Sequence, residues 1–313
     1  MMNKPLLEQV EELFDEQLQC WQTAKDSYTA LYTIRTKPLR IGNFPITVQF
    51  NPSRIVSSAA KVDSASIRKR KCFLCEQNRP SEQRGIDYGD YTILINPFPI
   101  FTRHLTIPCK EHTPQVIGTR LVDMLSLAKE LAGGYTLFYN GAKCGASAPD
   151  HFHFQACPRG VLPIEQEVSN GNLIDILDDG KGKVQYAPSL PFVCLIISSK
   201  DMQEIQRLSS KVCTALRRYD DESEPRMNLI CFSDNTDVLH LLIVPRTNHR
   251  PSRYFKDGDE SLLISPASVD FGGIFITPRE VDFLKIESSD IEQIVRECAI
   301  PIDDIQNILH SLQ

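Results

Sequence analysis

The sequence predicts an α+β fold assembled from a duplicated unit. Two observations carry this. Short β-branched and aromatic runs alternate with a few long segments of helical spacing, which points to sheets with helices packed on them. Residues 201–246 also repeat the order of residues 114–159, helix, strand, loop, strand, and a shift of 87 lays strand 238–244 on 151–157 and Pro245-Arg246 on Pro158-Arg159.

The elements follow in chain order. Leu6, Leu7, Val10, Leu13, Phe14, Leu18 and Trp21 recur at helical spacing, so residues 5–26 read as one amphipathic helix. Residues 45–50 read as a strand, and the Ser- and Lys/Arg-rich stretch 53–71 as a mobile loop. Residues 91–96 and 104–108 are strands, the first closed by Pro97 and Pro99. Pro114 can open a helix that runs to about residue 132 and stops at Gly133-Gly134. Strands 135–139 and 151–157 flank a loop of small residues, 140–150. Residues 160–190 read as acidic, glycine-rich loop. Strand 192–198, helix 201–219 and strands 227–232 and 238–244 make the second copy, and the tail from Pro278 is mostly helical. The expected division is therefore 1–160 and 161–313.

With 313 residues, 42% hydrophobic and 24% charged, the chain is long and apolar enough for a substantial core. A net charge of −6 argues against coating nucleic acid, although a local pocket on an acidic protein can still be positive. No apolar run approaches a membrane span, and residues 1–12 lack a signal-peptide core, so a cytoplasmic location is expected, with no membrane partner. Several of the ten cysteines, such as Cys194 and Cys231, sit in apolar runs and read as small buried hydrophobes rather than disulfide partners.

The chemistry concentrates at 140–155. Strand alternation puts His151, His153 and Gln155 on one face and Phe152 and Phe154 on the other. A plain core strand would carry an apolar side chain on at least one more of those positions. The preceding loop, with Gly141 and Gly145, lets backbone N–H groups approach an anion, and Asn140, Lys143 and Ser147 add donors. An imidazole is largely neutral at pH 7 and attacks phosphorus well. Gln155 can hold a phosphoryl oxygen, yet it has no titratable proton and cannot serve as a general acid. In the second copy His240 overlies His153, but Leu242 overlies Gln155 and Val238 overlies His151. The loop before it, Ser233 to Asp237, carries two aspartates that would repel a phosphate. One active site is expected, with His240 structural. Arg246, His249 and Arg250 lie just beyond, in reach of substrate phosphates.

Cys72 and Cys75 have the knuckle spacing of a zinc site. His112 and His151 are the candidate remaining ligands, with His104 as the competing one.

These segments resemble the histidine-triad superfamily, specifically its transferase branch. Asn140-Gly, Gly145-Ala-Ser147 and His151-x-His153-x-Gln155 are similar to the signatures of galactose-1-phosphate uridylyltransferases, diadenosine tetraphosphate phosphorylases and GDP-hexose phosphorylases. Asn96-Pro97 and His104-Leu-Thr-Ile-Pro108 resemble the upstream strand pair. The Cys72/Cys75/His112/His151 set resembles the zinc site of the uridylyltransferases. The likeness covers residues 70–160, and the second half only through the repeat; residues 1–50 match nothing in it. Phe152 and Phe154 depart from the smaller or basic residues that uridylyltransferases carry there.

The resemblance implies two histidine-triad-like units of antiparallel sheet with packed helices, the second degenerate. It implies a structural zinc, and a nucleotidyltransferase or phosphorylase acting at an α-phosphorus. His153 would be the nucleophile and Gln155 its oxyanion partner, with Asn140 and Ser147 touching phosphate. The substrates would be a nucleotide sugar or dinucleoside polyphosphate, plus phosphate or a sugar phosphate as acceptor, with a homodimer open as the assembly. A nucleotide hydrolase would place a third histidine where this chain has Gln155. A non-catalytic zinc-stabilised nucleotide-binding module would have no use for both His153 and Gln155.

Overall fold

The computed structural model describes residues 4–216, 218–219, 222–300 and 304–312. The expected first helix is two, α1 (Leu6–Cys20) and α2 (Gln22–Ala30), because Trp21 is extended (φ −115°, ψ 99°) and buried between them. Strand β1 (Arg35–Ile41) escaped the sequence pattern because its side chains are mostly exposed; it forms a hairpin with β2 (Phe44–Phe50). Short helices α3 (Ile55–Ser58) and α4 (Ser64–Lys69) stand where a loop was expected. Strands β3 (Gly85–Tyr88), β4 (Tyr91–Ile95) and β5 (Leu105–Pro108) follow. Helix α5 (Leu121–Glu130) begins after a 3₁₀ turn at Gly118–Arg120, not at Pro114. The backbone beside Pro114 is committed elsewhere, since Gln115 donates its N–H to the Pro149 carbonyl.

Strands β6 (Tyr135–Asn140) and β7 (His153–Pro158) hold the candidate site. The segment 160–190 is not loop: it contains α6 (Pro163–Ser169) and the hairpin β8 (Ile174–Asp178) and β9 (Lys183–Tyr186). Strand β8 is half-exposed and acidic, so its pattern resembled a loop. Strand β10 (Leu195–Ser199), helix α7 (Met202–Ala215) and strands β11 (Met227–Ser233) and β12 (Leu239–Pro245) match the second copy. Helix α8 (Ser268–Phe271), strand β13 (Ile274–Thr277) and helices α9 (Glu280–Lys285), α10 (Ser288–Cys298) and α11 (Ile305–Leu312) complete the chain.

One ten-stranded antiparallel sheet runs β3-β4-β5-β7-β6-β11-β12-β10-β9-β8. Each half, read from its outer edge inward, has the same succession of strands. The duplication extends to hydrogen-bond register. Tyr135 faces Pro158 as Met227 faces Pro245, and Pro108 faces His153 as Ser198 faces His240. A second sheet, β1-β2-β13, joins strands from both ends of the chain; its β2–β13 pair is parallel.

The large sheet has a core on each face. Tyr135, Leu137, Tyr139, Phe154, Leu229 and Leu241 point to one, packed with residues of α1, α2, α5 and α7. Phe138, Cys157, Ile230, Leu242 and Val244 point to the other, packed with β2, β13, α6 and α10. Central strands buried on both faces explain the unbroken apolar runs of the sequence. Alternation then puts His153 and Gln155 on the side of Cys157 and Phe138, away from Phe154.

The seam between the halves is the β6–β11 pairing, where Ile230 opposes Phe138 and is fully buried. Ile230→Ala should cost about 2–5 kcal/mol, as large-to-small core substitutions do. Urea unfolding measures it, and a loss below about 1 kcal/mol would mean the seam does not hold the halves together.

Candidate active site and metal centre

Strand β7 begins at His153, so His151 lies in the bend before it and not on the strand. The imidazole of His151 turns to the cysteines, and its backbone serves His153. The His153 Nδ1 meets the His151 carbonyl at 2.9 Å. A carbonyl only accepts, so Nδ1 carries the proton and Nε2 keeps its lone pair. Nε2 has no hydrogen-bond partner among the described residues. Burial holds the His153 imidazole down at about 4, so it is neutral at pH 7. Gln115 fixes the strand start: its Oε1 accepts from His153 N–H at 2.8 Å, and its Nε2 donates to the carbonyls of His153 and Asn140, each at 3.0 Å.

His104 is not a metal ligand. It orients Gln155. The Ile100 N–H donates to His104 Nδ1 at 3.2 Å, which leaves the proton on Nε2, and Nε2 meets Gln155 Oε1 at 3.1 Å. The Gln155 oxygen is thereby engaged and its amino group points elsewhere. Burial lowers the His104 imidazole to about 3, so this neutral tautomer persists across physiological pH.

The loop between β6 and β7 is built against the second half. Asn140 Oδ1 accepts from Asn228 Nδ2 (2.9 Å), Ser268 N–H (2.8 Å) and Ser268 Oγ (2.7 Å). That fixes its amide and leaves Nδ2 without a partner among the described residues. Gly145 has φ +95°, and a Cβ there would lie 2.5 Å from that of Ala267. Only glycine fits, so the residue lets the loop pack closely. Lys143 pairs with Glu222 at 2.9 Å. Ser147 is half-buried on the same loop.

Cys72, Cys75, His112 and His151 converge, their ligand atoms all within 4.8 Å of one another. Cys72 Sγ is 3.3 Å and Cys75 Sγ 3.5 Å from His151 Nδ1, and Cys75 Sγ is 3.2 Å from His112 Nδ1. These separations suit the corners of a tetrahedron around one metal ion. His151 Nε2 donates to the Cys109 carbonyl at 2.7 Å, which keeps Nδ1 unprotonated for the metal. Burial raises the Cys72 thiol, but the His151 imidazole and the N–H groups of Leu74 and Cys75 outweigh it and bring it to about 6. A thiolate is the form that binds metal.

Comparison with known proteins finds likeness in sequence and in fold. Residues 13–158 match the family described as "Domain of unknown function (DUF4922)". A galactose-1-phosphate uridylyltransferase of Clostridium acetobutylicum is 23% identical over 289 residues, covering 84% of this chain and 55% of its own length. The chain thus spans about half the length of that relative. The yeast Ap4A phosphorylase Apa2 superposes with a TM-score of 0.55 at 17% identity, covering 90% of this chain and 94% of Apa2. Its complex with Ap4A gives the same TM-score at 16% identity, covering 90% and 97%. The chain has the fold of the yeast Ap4A phosphorylase Apa2.

Within that fold the two copies differ where it matters chemically. His240 is held at both ring nitrogens, Nδ1 at 2.8 Å from Ser198 Oγ and Nε2 at 3.2 Å from Asp234 Oδ2. His153 is held at one. Sequence reasoning missed Gln115, Asn228 and Ser268, which position strand β7 and the loop before it. They lie 25 or more residues from their partners, and only the β6–β11 pairing brings Asn228 to Asn140.

The metal centre makes a direct prediction. The purified chain should carry one divalent ion per molecule. Cys72→Ser should lose it and lower the Tm by on the order of 5–10 °C, because metal binding contributes to folding free energy. Elemental analysis and calorimetry check both. Full stability after complete chelation would show the cluster to be merely four neighbouring side chains.

Proposed function

We propose that this chain is a nucleotidyltransferase or phosphorylase that works through a covalent nucleotidyl group on His153. The reading rests on one observation: an imidazole with its proton tied at Nδ1 and its Nε2 lone pair left available, two residues from an amide whose oxygen is already taken. In the first step Nε2 attacks an α-phosphorus. The bond to the leaving group breaks, and the negative charge departs on that group. The Gln155 amino group and the Asn140 Nδ2 hydrogens donate to nonbridging oxygens as charge develops there. Ser147 and the loop around Lys143 and Gly145 supply further donors.

In the second step an acceptor oxygen attacks the same phosphorus and releases Nε2. Gln155 gives no proton, so the leaving group must be stable as an anion. A phosphate or sugar phosphate meets that need, which supports a nucleoside diphosphate sugar or a dinucleoside polyphosphate as donor substrate.

The metal is read as a structural zinc, on the two-thiolate, two-imidazole donor set. Bound there, zinc supplies a crosslink between 72–75 and the bend at His151, and the chemistry stays with the side chains of β7.

Incubation with α-labelled nucleotide should leave acid-labile label on the protein. His153→Ala should abolish label and turnover, while His240→Ala should keep label, with a change in stability alone. Label at His240, or a requirement for both, would mean the working half is misassigned. Acceptor dependence is the second test. Release of nucleotide should rise by orders of magnitude when phosphate or a phosphorylated acceptor is added, with parallel-line kinetics. Equal release in water would favour a hydrolase.

A further inference from the structure

Arg246 stands just past the last core residue of β12 and is 3% exposed. A guanidinium has five N–H hydrogens in a planar fork and no acceptor. Arg246 uses all five on uncharged oxygens. Its Nε donates to the Cys298 carbonyl at 2.8 Å, Nη1 to Asn228 Oδ1 and to the Pro266 carbonyl (3.1 Å), and Nη2 to the carbonyls of Asn248 (3.1 Å) and His249 (3.4 Å). The sequence placed this residue in reach of substrate phosphates. Buried, with every donor engaged, it does not reach them.

Its counterpart in the first copy is held differently. Arg159 meets the buried Glu165 carboxylate, whereas Arg246 has no ion-pair partner among the described residues. The Asp270 carboxylate is taken by the N–H groups of Ala267 (2.8 Å) and Ile276 (3.4 Å). Cys298 closes α10, so the Arg246 charge faces the negative end of a helix dipole instead. A charge buried without a carboxylate is costly, and here its whole fork is given to placing neighbours.

Two of those neighbours lead to the candidate site. Because a guanidinium only donates, Asn228 turns its oxygen to Arg246 and its Nδ2 the other way. That Nδ2 donates to Asn140 Oδ1 at 2.9 Å and to the Cys144 carbonyl at 2.8 Å. Two residues after Pro266, the Ser268 N–H donates to the same Asn140 oxygen at 2.8 Å. Between them Ala267 is the residue against which Gly145 packs. Both braces of Asn140 therefore converge on one nitrogen, Arg246 Nη1. Without that donor the fully buried Asn228 oxygen would lack a partner, and a reversed Asn228 amide would set oxygen against oxygen at Asn140.

We propose that Arg246 is a positioning residue for the first half's site. It orients the Asn140 amide through Asn228, and it seats the segment behind the 140–147 loop through Pro266. What Asn140 then does to a phosphoryl oxygen rests on the nucleotidyl-transfer reading; how Asn140 is held does not.

Side-chain amide spectra of asparagine-labelled protein test the holding without any nucleotide. The Asn140 Nδ2 signals, identified by their loss in Asn140→Ala, should shift or broaden in Arg246→Gln. Asn228→Asp should do the same. It keeps an oxygen toward Arg246 and nearly the same volume but offers Asn140 no donor, and it decides the matter if Arg246→Gln fails to fold. Ile230→Ala, an apolar loss at the same seam, should leave the signals in place. The second measurement is the rate at which α-labelled UDP-glucose and α-labelled Ap4A label His153. It should fall at least tenfold in Arg246→Gln and Asn228→Asp and stay within about twofold in Ile230→Ala. Unmoved Asn140 signals or an unchanged labelling rate in Asn228→Asp overturns the proposal, as does an equal fall in Ile230→Ala. Moved signals in the variants of a chain whose native form takes no label remove the transfer reading and leave the positioning of Asn140.

Discussion

The hydrogen bond from His153 Nδ1 to the His151 carbonyl is the constraint on which the site depends. It decides which ring nitrogen is bare, and it ties that decision to a backbone that other contacts must hold still. The holding is done by the His151 side chain, engaged with Cys72, Cys75 and the Cys109 carbonyl, and by Gln115 across the start of the strand. A side chain used for structure and a carbonyl used for chemistry thus belong to one residue. Local disorder at the cysteine cluster would reach the His153 ring through the His151 carbonyl.

Gln155 is governed by the same logic. An amide can present either its oxygen or its amino group, and a free one samples both. The chain from the Ile100 N–H through His104 removes that choice. Because His104 is fully buried, no proton from solvent is expected to reverse its donor and acceptor nitrogens near neutral pH. The polar surface of β7 is therefore specified by two neutral imidazoles, one beside it and one on it.

Much of this was legible in the sequence. Strands with both faces buried gave unbroken apolar runs, and His153 and Gln155 stood out as polar interruptions. The 87-residue shift located strand β12 because His240 and Pro245-Arg246 repeat the spacing of His153 and Pro158-Arg159. What escaped did so for physical reasons. Strands β1 and β8 lie at sheet edges and are largely exposed, so neither carried the long apolar run of a central strand. His151 left the strand because its ring is needed at the cysteines, a requirement set by residues 72–75 and invisible in alternation alone. His104 looked like a ligand because residue type cannot distinguish a metal-binding imidazole from one that accepts a backbone N–H. Asn228 and Ser268 carry no local signal at all; their role exists only once β6 and β11 are side by side.

The seam between the halves has a further implication. Two identical subunits meeting at such a seam would have to change together, since every substitution would appear on both sides of the axis. Here both halves are written into one polypeptide. The second hairpin has a shorter loop, 234–238, carries Leu242 where the first has Gln155, and holds its histidine between Ser198 and Asp234. The first hairpin kept its longer loop, 141–152, and used the altered neighbour as a wall: Asn228 and Ser268 now brace Asn140. In one polypeptide the two hairpins need not match, and one can brace the other.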